Sequence, residues 1–203
     1  MGWYEDKALP WVIDRVGASG EMRKHRAQTT EGLHGVVVEI GFGSGLNIPH
    51  YPPEVERVLA VDPATYGRVL AADRLAASDV PVDFVGLDGA ALPIDDESVD
   101  TALSTLTLCT IPEVEDALAE VRRVLRPGGT FHFFEHGRSD DPKVERWQNR
   151  LTPAWRRAFG GCHLNRPIDV LLTDAGFDVE IEVFAMQGPR TVGTSYRGRA
   201  VKR

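Results

Sequence analysis

The sequence predicts one α/β domain built around a mostly parallel sheet with helices on both faces. Helical patterns fit between most of the apolar, strand-like segments, which begin near Val36, Val58, Val82, Val99 and Thr130. Strands and helices that alternate at such intervals form βαβ units, whose strands run parallel. The segments 36–38, 58–61 and 131–134 also lack apolar–polar alternation, as expected of strands covered on both faces.

The helices are predicted from the spacing of apolar residues. The clearest covers about 113–125, where apolar residues recur every three or four positions, and Pro127-Gly128-Gly129 ends it. The segment 137–167 is rich in Arg, Trp and Pro and is expected to be less regular. Further helices are expected around 3–16, 21–33 and 168–175, and the last strands near 177–184 and 196–201.

Length and composition exclude several classes of protein. At 203 residues the chain is expected to be a single domain, and its net charge of −7 argues against a general nucleic-acid binder. No apolar run of 18 residues is present, so no transmembrane segment is expected, and no secretory signal precedes the first helix. Cys109 and Cys162 make no disulfide framework, which favours a reducing cytoplasm. Four lysines against 19 arginines suggest a GC-rich bacterial genome.

A glycine-rich turn follows the first strand and predicts a nucleotide-type ligand. The strand 36–38 leads into Glu39 and then Gly41, Gly43 and Gly45. Glycine tolerates positive φ and lets the backbone approach a ligand closely. The dinucleotide fingerprint requires G-x-G-x-x-G, whereas here Leu46 occupies its last position. A tight turn without a ligand is the alternative interpretation.

Acidic and hydroxyl side chains stand at the ends of the next strands, where an open α/β sheet binds its ligands. Asp62 ends the second strand, and its carboxylate can accept hydrogen bonds from both hydroxyls of a ribose. The same carboxylate would suit an NAD ribose, or would cap the following helix. Asp88-Gly89 follows the third strand and is also a common turn pair.

These signals, in this order and spacing over 36–135, resemble class I S-adenosylmethionine (SAM) methyltransferases, with a cofactor core of methyltransferase type 11. Leu125-Arg126-Pro127-Gly128-Gly129 resembles the motif that precedes the fifth strand of that family. The resemblance implies a Rossmann-like sheet of seven strands, the last one antiparallel, with SAM as cofactor and S-adenosylhomocysteine as product. The cofactor residues it implies are Glu39, Gly41, Phe42, Gly43, Gly45, Asp62, Pro63, Asp88, Gly89, Ala90, Ser104 and Thr105.

The second half of the chain resembles a methyltransferase-like family whose animal members are alkyl thiol S-methyltransferases. The resemblance rests on Leu108-Cys109-Thr110-Ile111, Phe134-Glu135-His136, Gly161-Cys162 and Gly198-Arg199-Ala200. The hydrophobic membrane anchor of that family is not found at the N-terminus. A SAM-dependent methyltransferase acting on a small-molecule acceptor, with a thiol favoured, is implied. Segments 1–35 and 136–203 would flank the cofactor core, and the implied acceptor pocket contains Tyr4, Cys109, Trp147, Cys162 and Arg166.

His136 is the histidine placed at the mouth of this pocket, so we hypothesise that it orients or deprotonates the acceptor. A structural histidine is the alternative, and His132, inside the fifth strand, is expected to be structural. Cys109 and Cys162 are expected to line the pocket as small apolar groups. No metal is expected, because the cysteines and histidines lack short ligand spacings. Arg166 would bind an acidic acceptor or pair with Asp169 or Glu135.

Other functions remain open from the sequence. Oxygen or carbon of a phenol, quinone or polyketide could replace the thiol as acceptor. A nucleic-acid methyltransferase is disfavoured by the acidic chain and by the lack of an N/D-P-P-Y/F motif. A SAM-binding protein without catalytic activity is a further alternative, because Glu39, Asp62 and Asp88 would be needed for cofactor binding alone. An NAD-dependent reductase is disfavoured by the glycine spacing.

Overall fold

The computed structural model describes residues 9–203, which form a seven-stranded sheet flanked by helices. The strands are Gly35–Ile40 (β1), Val55–Val61 (β2), Val82–Gly86 (β3), Val99–Thr105 (β4), Leu125–His136 (β5), Phe177–Ala185 (β6) and Thr194–Lys202 (β7). The helices are Leu9–Gly17 (α1), Gly20–Thr30 (α2), Thr65–Leu70 (α3), Ala72–Ala76 (α4), Val114–Val124 (α5), Pro142–Ala158 (α6), Ile168–Asp174 (α7) and Arg190–Gly193 (α8), with a 3₁₀ turn at Ile48–His50.

The sheet order is β3-β2-β1-β4-β5-β7-β6, and the first five strands run parallel. β7 pairs antiparallel with both β5 and β6. The predicted mostly parallel sheet with an antiparallel last strand is therefore confirmed. Chain order reverses between β1 and β4, so the carboxyl ends of these strands meet at the switch point, where open α/β sheets bind ligands.

Apolar side chains on both faces of the sheet hold the helices in place. β1 and β4 are almost fully buried, as their continuous apolar segments predict. The apolar stripe of α5 is buried at Val114, Ala117, Leu118, Val121 and Val124, and its charged residues face solvent or form ion pairs. Each buried valine or leucine of this stripe contributes about 1.5–3 kcal/mol by leaving water.

Segment 137–167 differs from the prediction, because it contains α6, a helix of 17 residues. Asp141 caps this helix through the amide of Lys143, and Pro142 occupies its first turn. Its buried residues, Gln148 and Thr152, are polar, so an apolar-periodicity criterion does not detect it. The buried side chain of Gln148 has its hydrogen-bond partners nearby, since it accepts a hydrogen bond from the Ser139 amide and donates one to the Gly137 carbonyl.

Smaller differences concern element ends. β5 begins at Leu125 rather than near Thr130, because Leu125 pairs with Val99 before the register shifts across the Pro-Gly-Gly segment. Of the two expected N-terminal helices, α1 is described from Leu9 and α2 ends at Thr30. Across residues 9–203, no helix combines the length and apolar character needed to cross a bilayer.

Candidate functional site

The glycine turn after β1 lies at the switch point and adopts the predicted backbone. Gly41, Gly43 and Gly45 all have positive φ, between 56° and 77°. A Cβ on Gly41 would overlap the Thr107 side chain, so close packing requires this glycine. Within residues 9–203, no atom lies within 4 Å of a Cβ built on Gly43. The second glycine therefore leaves an open space in front of its backbone, where a ligand can approach.

Asp62 closes this turn from the end of β2. Its Oδ2 accepts a hydrogen bond from the Gly43 amide at 2.6 Å, and its Oδ1 accepts one from the Ala64 amide at 2.6 Å. Asp62 does not cap the following helix, whose N-cap is Ala64 without a side-chain hydrogen bond; one carboxylate oxygen fixes the glycine turn and the other fixes the loop that leads to the helix. Burial raises the pKa of Asp62, and the two amide hydrogen bonds oppose that shift. Each oxygen keeps a lone pair for a further donor.

A buried polar network lies beside the turn, between β1, β4 and α2. Glu39, 1% exposed, accepts hydrogen bonds from the side-chain amide of Asn47 at 2.9 Å and from the Tyr51 hydroxyl. Arg26 donates to Asn47 at 2.9 Å and to the Thr105 hydroxyl at 2.7 Å. Burial raises the pKa of Glu39 to about 7, although its hydrogen bonds favour the ionised form. The Nε–H of Arg26 is buried and has no hydrogen-bond partner in the part of the chain that the structure describes.

The loop after β3 places Asp88, Gly89 and Ala90 at the same edge of the sheet, and Phe42 and Pro63 follow the neighbouring strands β1 and β2. Asp88 is exposed, and its Oδ1 accepts from the Ala90 amide at 2.9 Å. Gly89 packs close to Ile40, where a Cβ would lie 3.0 Å from a methyl group. Phe42 is buried, whereas Pro63 is exposed after the carboxylate that ends β2. The turn pair expected from Asp-Gly is therefore present, with a carboxylate open to a ligand.

Glu135, which is fully buried at the end of β5, organises the loop that follows β4. Its Oε1 accepts from the Ser104 hydroxyl at 2.7 Å and from the Thr107 amide at 3.0 Å. Its Oε2 accepts from the Cys109 amide at 3.2 Å. Leu106, in this loop, has a φ of 57°, which is rare for a residue with a side chain. The carboxylate therefore holds a strained loop that connects the cofactor side to the acceptor side.

Two of the acceptor-side candidates, Cys109 and Cys162, meet His136 beyond the end of β5. The two sulfur atoms are 3.6 Å apart, and the Cys162 sulfur is 3.7 Å from His136 Nδ1. Both thiols are free and buried. Contact with Cys109 lowers the pKa of the Cys162 thiol to about 5, whereas contact with Cys162 and burial raise that of Cys109. Two of the predicted pocket residues and His136 therefore form a compact thiol–imidazole cluster.

The other pocket candidates are placed differently. Arg166 is buried and donates to the Leu108 carbonyl at 2.5 Å, and among the described residues it forms no ion pair. The Asp169 or Glu135 pairing considered for it is thus not observed. Trp147 is 54% exposed on α6, with the guanidinium of Arg150 over its ring. Tyr4 lies outside the described residues.

Sequence reasoning missed the residues that complete the site. Arg26, Asn47 and Tyr51 form the polar network around Glu39, but they stand in polar segments that look solvated. Two surface cavities, of about 320 and 440 Å³, lie against β6–β7 and between α5 and α7. Neither contains a candidate residue, so the site is defined by the strand ends.

Comparisons with known proteins agree with this geometry. The methyltransferase domain family matches residues 38–133. Human thiol S-methyltransferase TMT1A is 35% identical over 75% of this chain and 64% of its own length, and human TMT1B is 34% identical over 82% and 70%. A solved SAM-dependent methyltransferase from Thermotoga maritima superposes with a TM-score of 0.71, at 21% identity, over 100% of both chains. That structural likeness shows the fold.

Proposed function

Because the chain belongs to the class I SAM-dependent methyltransferase family, we propose that it transfers the methyl group of SAM to the sulfur of a small thiol. A thiol acceptor is supported mainly by the cluster of Cys109, His136 and Cys162, which lies next to the strand ends where the cofactor is proposed to bind. The names of the TMT1A and TMT1B relatives support the same class. Oxygen or carbon acceptors are the second candidate, since the fold serves them equally well.

The cofactor is proposed to lie across the carboxyl ends of β1, β2 and β3. The ribose hydroxyls of the cofactor would donate hydrogen bonds to Asp62, and its adenine would reach Asp88 and the Ala90 amide. The open space at Gly43 would let the cofactor approach the glycine turn. Its methionine end would approach Ser104 and Thr105, which end β4. Each charge-assisted hydrogen bond of this kind contributes about 1.5–3 kcal/mol.

The electrostatics of this edge suit a cationic cofactor. Glu39 and Glu135 are buried carboxylates at the ends of β1 and β5. Asp62 is buried at the end of β2, which lies between β1 and the outer strand β3. SAM carries a sulfonium and an ammonium group, which such carboxylates stabilise. Arg26 is a buried cation whose Nε–H has no partner among residues 9–203, and it would bind the carboxylate of the cofactor. Both charge types of the methionine end therefore find partners.

The chemistry is an in-line displacement at the sulfonium methyl. The thiol would lose its proton to solvent, its sulfur would form the new bond to the methyl carbon, and the carbon–sulfur bond that breaks would leave its electron pair on the sulfur of S-adenosylhomocysteine. Thiols have a pKa of about 8.5 and need little help to ionise. Positioning supplies most of the rate, since well-oriented pairs gain about 7–11 kcal/mol. His136, at the acceptor side, is proposed to orient the thiol.

Calorimetry with S-adenosylhomocysteine and, in parallel, NADH tests the cofactor. We expect S-adenosylhomocysteine alone to bind, and Asp62→Ala to weaken it by about 10–100-fold, the equivalent of about 1.5–3 kcal/mol. Asp73→Ala, an exposed acid on α4, is the matched control and should bind as wild type. Binding of NADH alone, or of neither ligand, would overturn the methyltransferase function.

A methyl-transfer assay with small thiols, phenols and quinols tests the acceptor. We expect turnover with thiols, and His136→Ala should lower it at least tenfold while the affinity for S-adenosylhomocysteine is kept. Turnover with phenols or quinols alone would establish the second candidate. Cofactor binding without turnover on any acceptor would identify a non-catalytic SAM-binding protein.

A further inference from the structure

The cluster of Cys109, His136 and Cys162 brings three metal-binding side chains together from three distant segments. Cys109 follows β4, His136 ends β5, and Cys162 follows α6. One ligand atom from each lies within 4.8 Å of the other two. The absence of a short sequence spacing, which argued against a metal, therefore has a structural explanation. Parallel strands β4 and β5 place their carboxyl ends side by side, and the fold supplies the spacing.

Two of the three ligand–ligand distances match the edges of a tetrahedral zinc site, and the third, between Cys109 and His136, is at most 4.8 Å. Zn–S bonds of about 2.3 Å and Zn–N bonds of about 2.0–2.1 Å place two sulfur ligands about 3.8 Å apart, and sulfur and nitrogen about 3.6 Å apart. The structure has 3.6 Å between the sulfur atoms of Cys109 and Cys162. It has 3.7 Å between Cys162 Sγ and His136 Nδ1. Small side-chain movements would bring all three atoms into one coordination sphere.

Neighbouring groups fix the ligands in this arrangement. The Cys109 amide donates to Glu135, and the Cys109 carbonyl accepts from the His163 amide at 2.8 Å and contacts His163 Nδ1 at 3.1 Å. His163 contacts this carbonyl through Nδ1, and it does not belong to the group of ligand atoms that lie within 4.8 Å of one another. Such supporting contacts orient ligands in metal sites. Three protein ligands leave one position open, the pattern of catalytic rather than structural zinc.

Burial and charge also favour a cation here. Cys109 is 1% and Cys162 is 6% exposed, whereas His136 is half-buried. Two thiolates neutralise a divalent ion, so a metal would allow both sulfurs to ionise without an unpaired buried charge. Half-buried His136 marks the side from which a ligand can reach the open position.

We propose that Cys109, His136 and Cys162 bind one Zn²⁺ ion, and that its open position takes the sulfur of the acceptor thiol. The first part stands by itself, and the second part rests on the proposed function. Binding Zn²⁺ releases the two cysteine protons, and the acceptor loses its proton to solvent as it coordinates. Its sulfur then attacks the SAM methyl, and the thioether product, a weak ligand, leaves.

Metal analysis of the full chain tests the site without reference to activity. The protein is purified with a phosphine as reductant, so that no buffer thiol occupies the open position, and is equilibrated with Zn²⁺ or Co²⁺. We expect about one ion per chain after dialysis. The Co²⁺ form should show thiolate-to-metal charge-transfer absorption and the visible bands of a tetrahedral site. Cys109→Ser, Cys162→Ser and His136→Ala should each weaken Zn²⁺ binding at least 100-fold.

A control separates loss of the site from loss of folding. His34→Ala removes an exposed histidine outside the cluster and should bind Zn²⁺ as wild type. Where a cysteine variant does not fold, wild type alone decides, because bound Zn²⁺ should protect both thiols from alkylation. Adding hydrosulfide to the Co²⁺ form should increase the charge-transfer absorption, as a third sulfur ligand binds.

Each contrary result has one meaning. Wild-type protein that binds S-adenosylhomocysteine but retains no metal would overturn the zinc site and leave the proposed function intact. A Cys109–Cys162 disulfide that forms in air, with no metal in the reduced chain, would identify a redox pair instead. A Co²⁺ spectrum unchanged by hydrosulfide would overturn the coordination of the acceptor alone.

Discussion

At the scale of single residues, Glu39 shows how burial prepares a site for a charged ligand. Its carboxyl has a pKa raised to about 7 by burial, so near neutral pH it exists in both protonation states. The neutral state suits the ligand-free interior, whereas a cation nearby favours the ionised state. Tyr51 and Asn47 donate to it in either case and keep it aimed at the turn.

This predicts that SAM binds more tightly as the pH rises. A cationic cofactor lowers the pKa of Glu39, so binding releases a proton below pH 7 and none well above it. We expect the affinity to increase about tenfold between pH 6 and pH 8, and to level off above. Calorimetry at both pH values measures this, and Glu39→Gln should remove the dependence. An equal affinity at both values would contradict the role of Glu39.

Two of the three glycines of the turn, Gly41 and Gly43, predict a contrast between folding and binding. Gly41→Ala should lose about 3 kcal/mol of unfolding free energy, since it adds overlap with Thr107 to a φ of 77°. Gly43→Ala should lose only about 1–2 kcal/mol from its positive φ. It should nevertheless weaken S-adenosylhomocysteine at least tenfold, because its Cβ enters the open space. Urea unfolding and calorimetry separate the two effects, and unweakened binding by Gly43→Ala would place the cofactor elsewhere.

At the scale of elements, β5 carries a buried histidine that is structural, as the sequence suggested. His132 is 2% exposed, donates from Nδ1 to the Thr29 carbonyl at 2.9 Å and contacts the Thr130 hydroxyl at 3.1 Å. Burial lowers its pKa from 6.5 to about 4, despite the hydrogen bond to Thr29. The histidine is therefore neutral in the folded chain and joins α2 to the sheet.

Protonation of His132 should destabilise the fold in acid. A pKa lower in the folded than in the unfolded chain contributes stability above pH 6.5, which is lost as the pH falls toward 4. Between pH 7 and pH 5 this loss amounts to about 2 kcal/mol. His132→Asn should show a correspondingly smaller decrease in urea unfolding, and His34→Ala should follow wild type. Parallel profiles for His132→Asn and wild type would mean that His132 does not titrate on unfolding.

The elements differ in how far the sequence determined them. α5 was predicted within one residue, because its buried face is apolar and its spacing is visible. α6 was not, because tertiary hydrogen bonds of Gln148 and Thr152 stabilise its buried face. α2 was predicted, yet the burial of Arg26 on it was not, since only contact with Asn47 and Thr105 explains a buried guanidinium. The local spacing of apolar residues thus predicts helices and strands. Which polar side chains are buried can be seen only from the three-dimensional fold.

At the scale of the whole molecule, the topology assembles the site. The candidates Asp62, Asp88 and Ser104 could be found because each ends a strand, and parallel strands end at one edge. The Cys109, His136 and Cys162 cluster could not be found by spacing, since Cys162 reaches it only through the whole length of α6. The acceptor side therefore depends on long-range packing, whereas the cofactor side follows from strand order.

Cofactor binding should stabilise the molecule as one unit, because its proposed contacts connect three strands and the glycine turn. S-adenosylhomocysteine at 100 times its Kd contributes about 2.7 kcal/mol. For a domain of this size that raises Tm by about 5–10 °C. Asp62→Ala, with binding weakened about 30-fold, should show only about 2 °C at the same concentration. Asp73→Ala should keep the full shift, and NADH should give none. A full shift in Asp62→Ala would mean that the ribose is held elsewhere and that the strand-end placement of the cofactor is wrong.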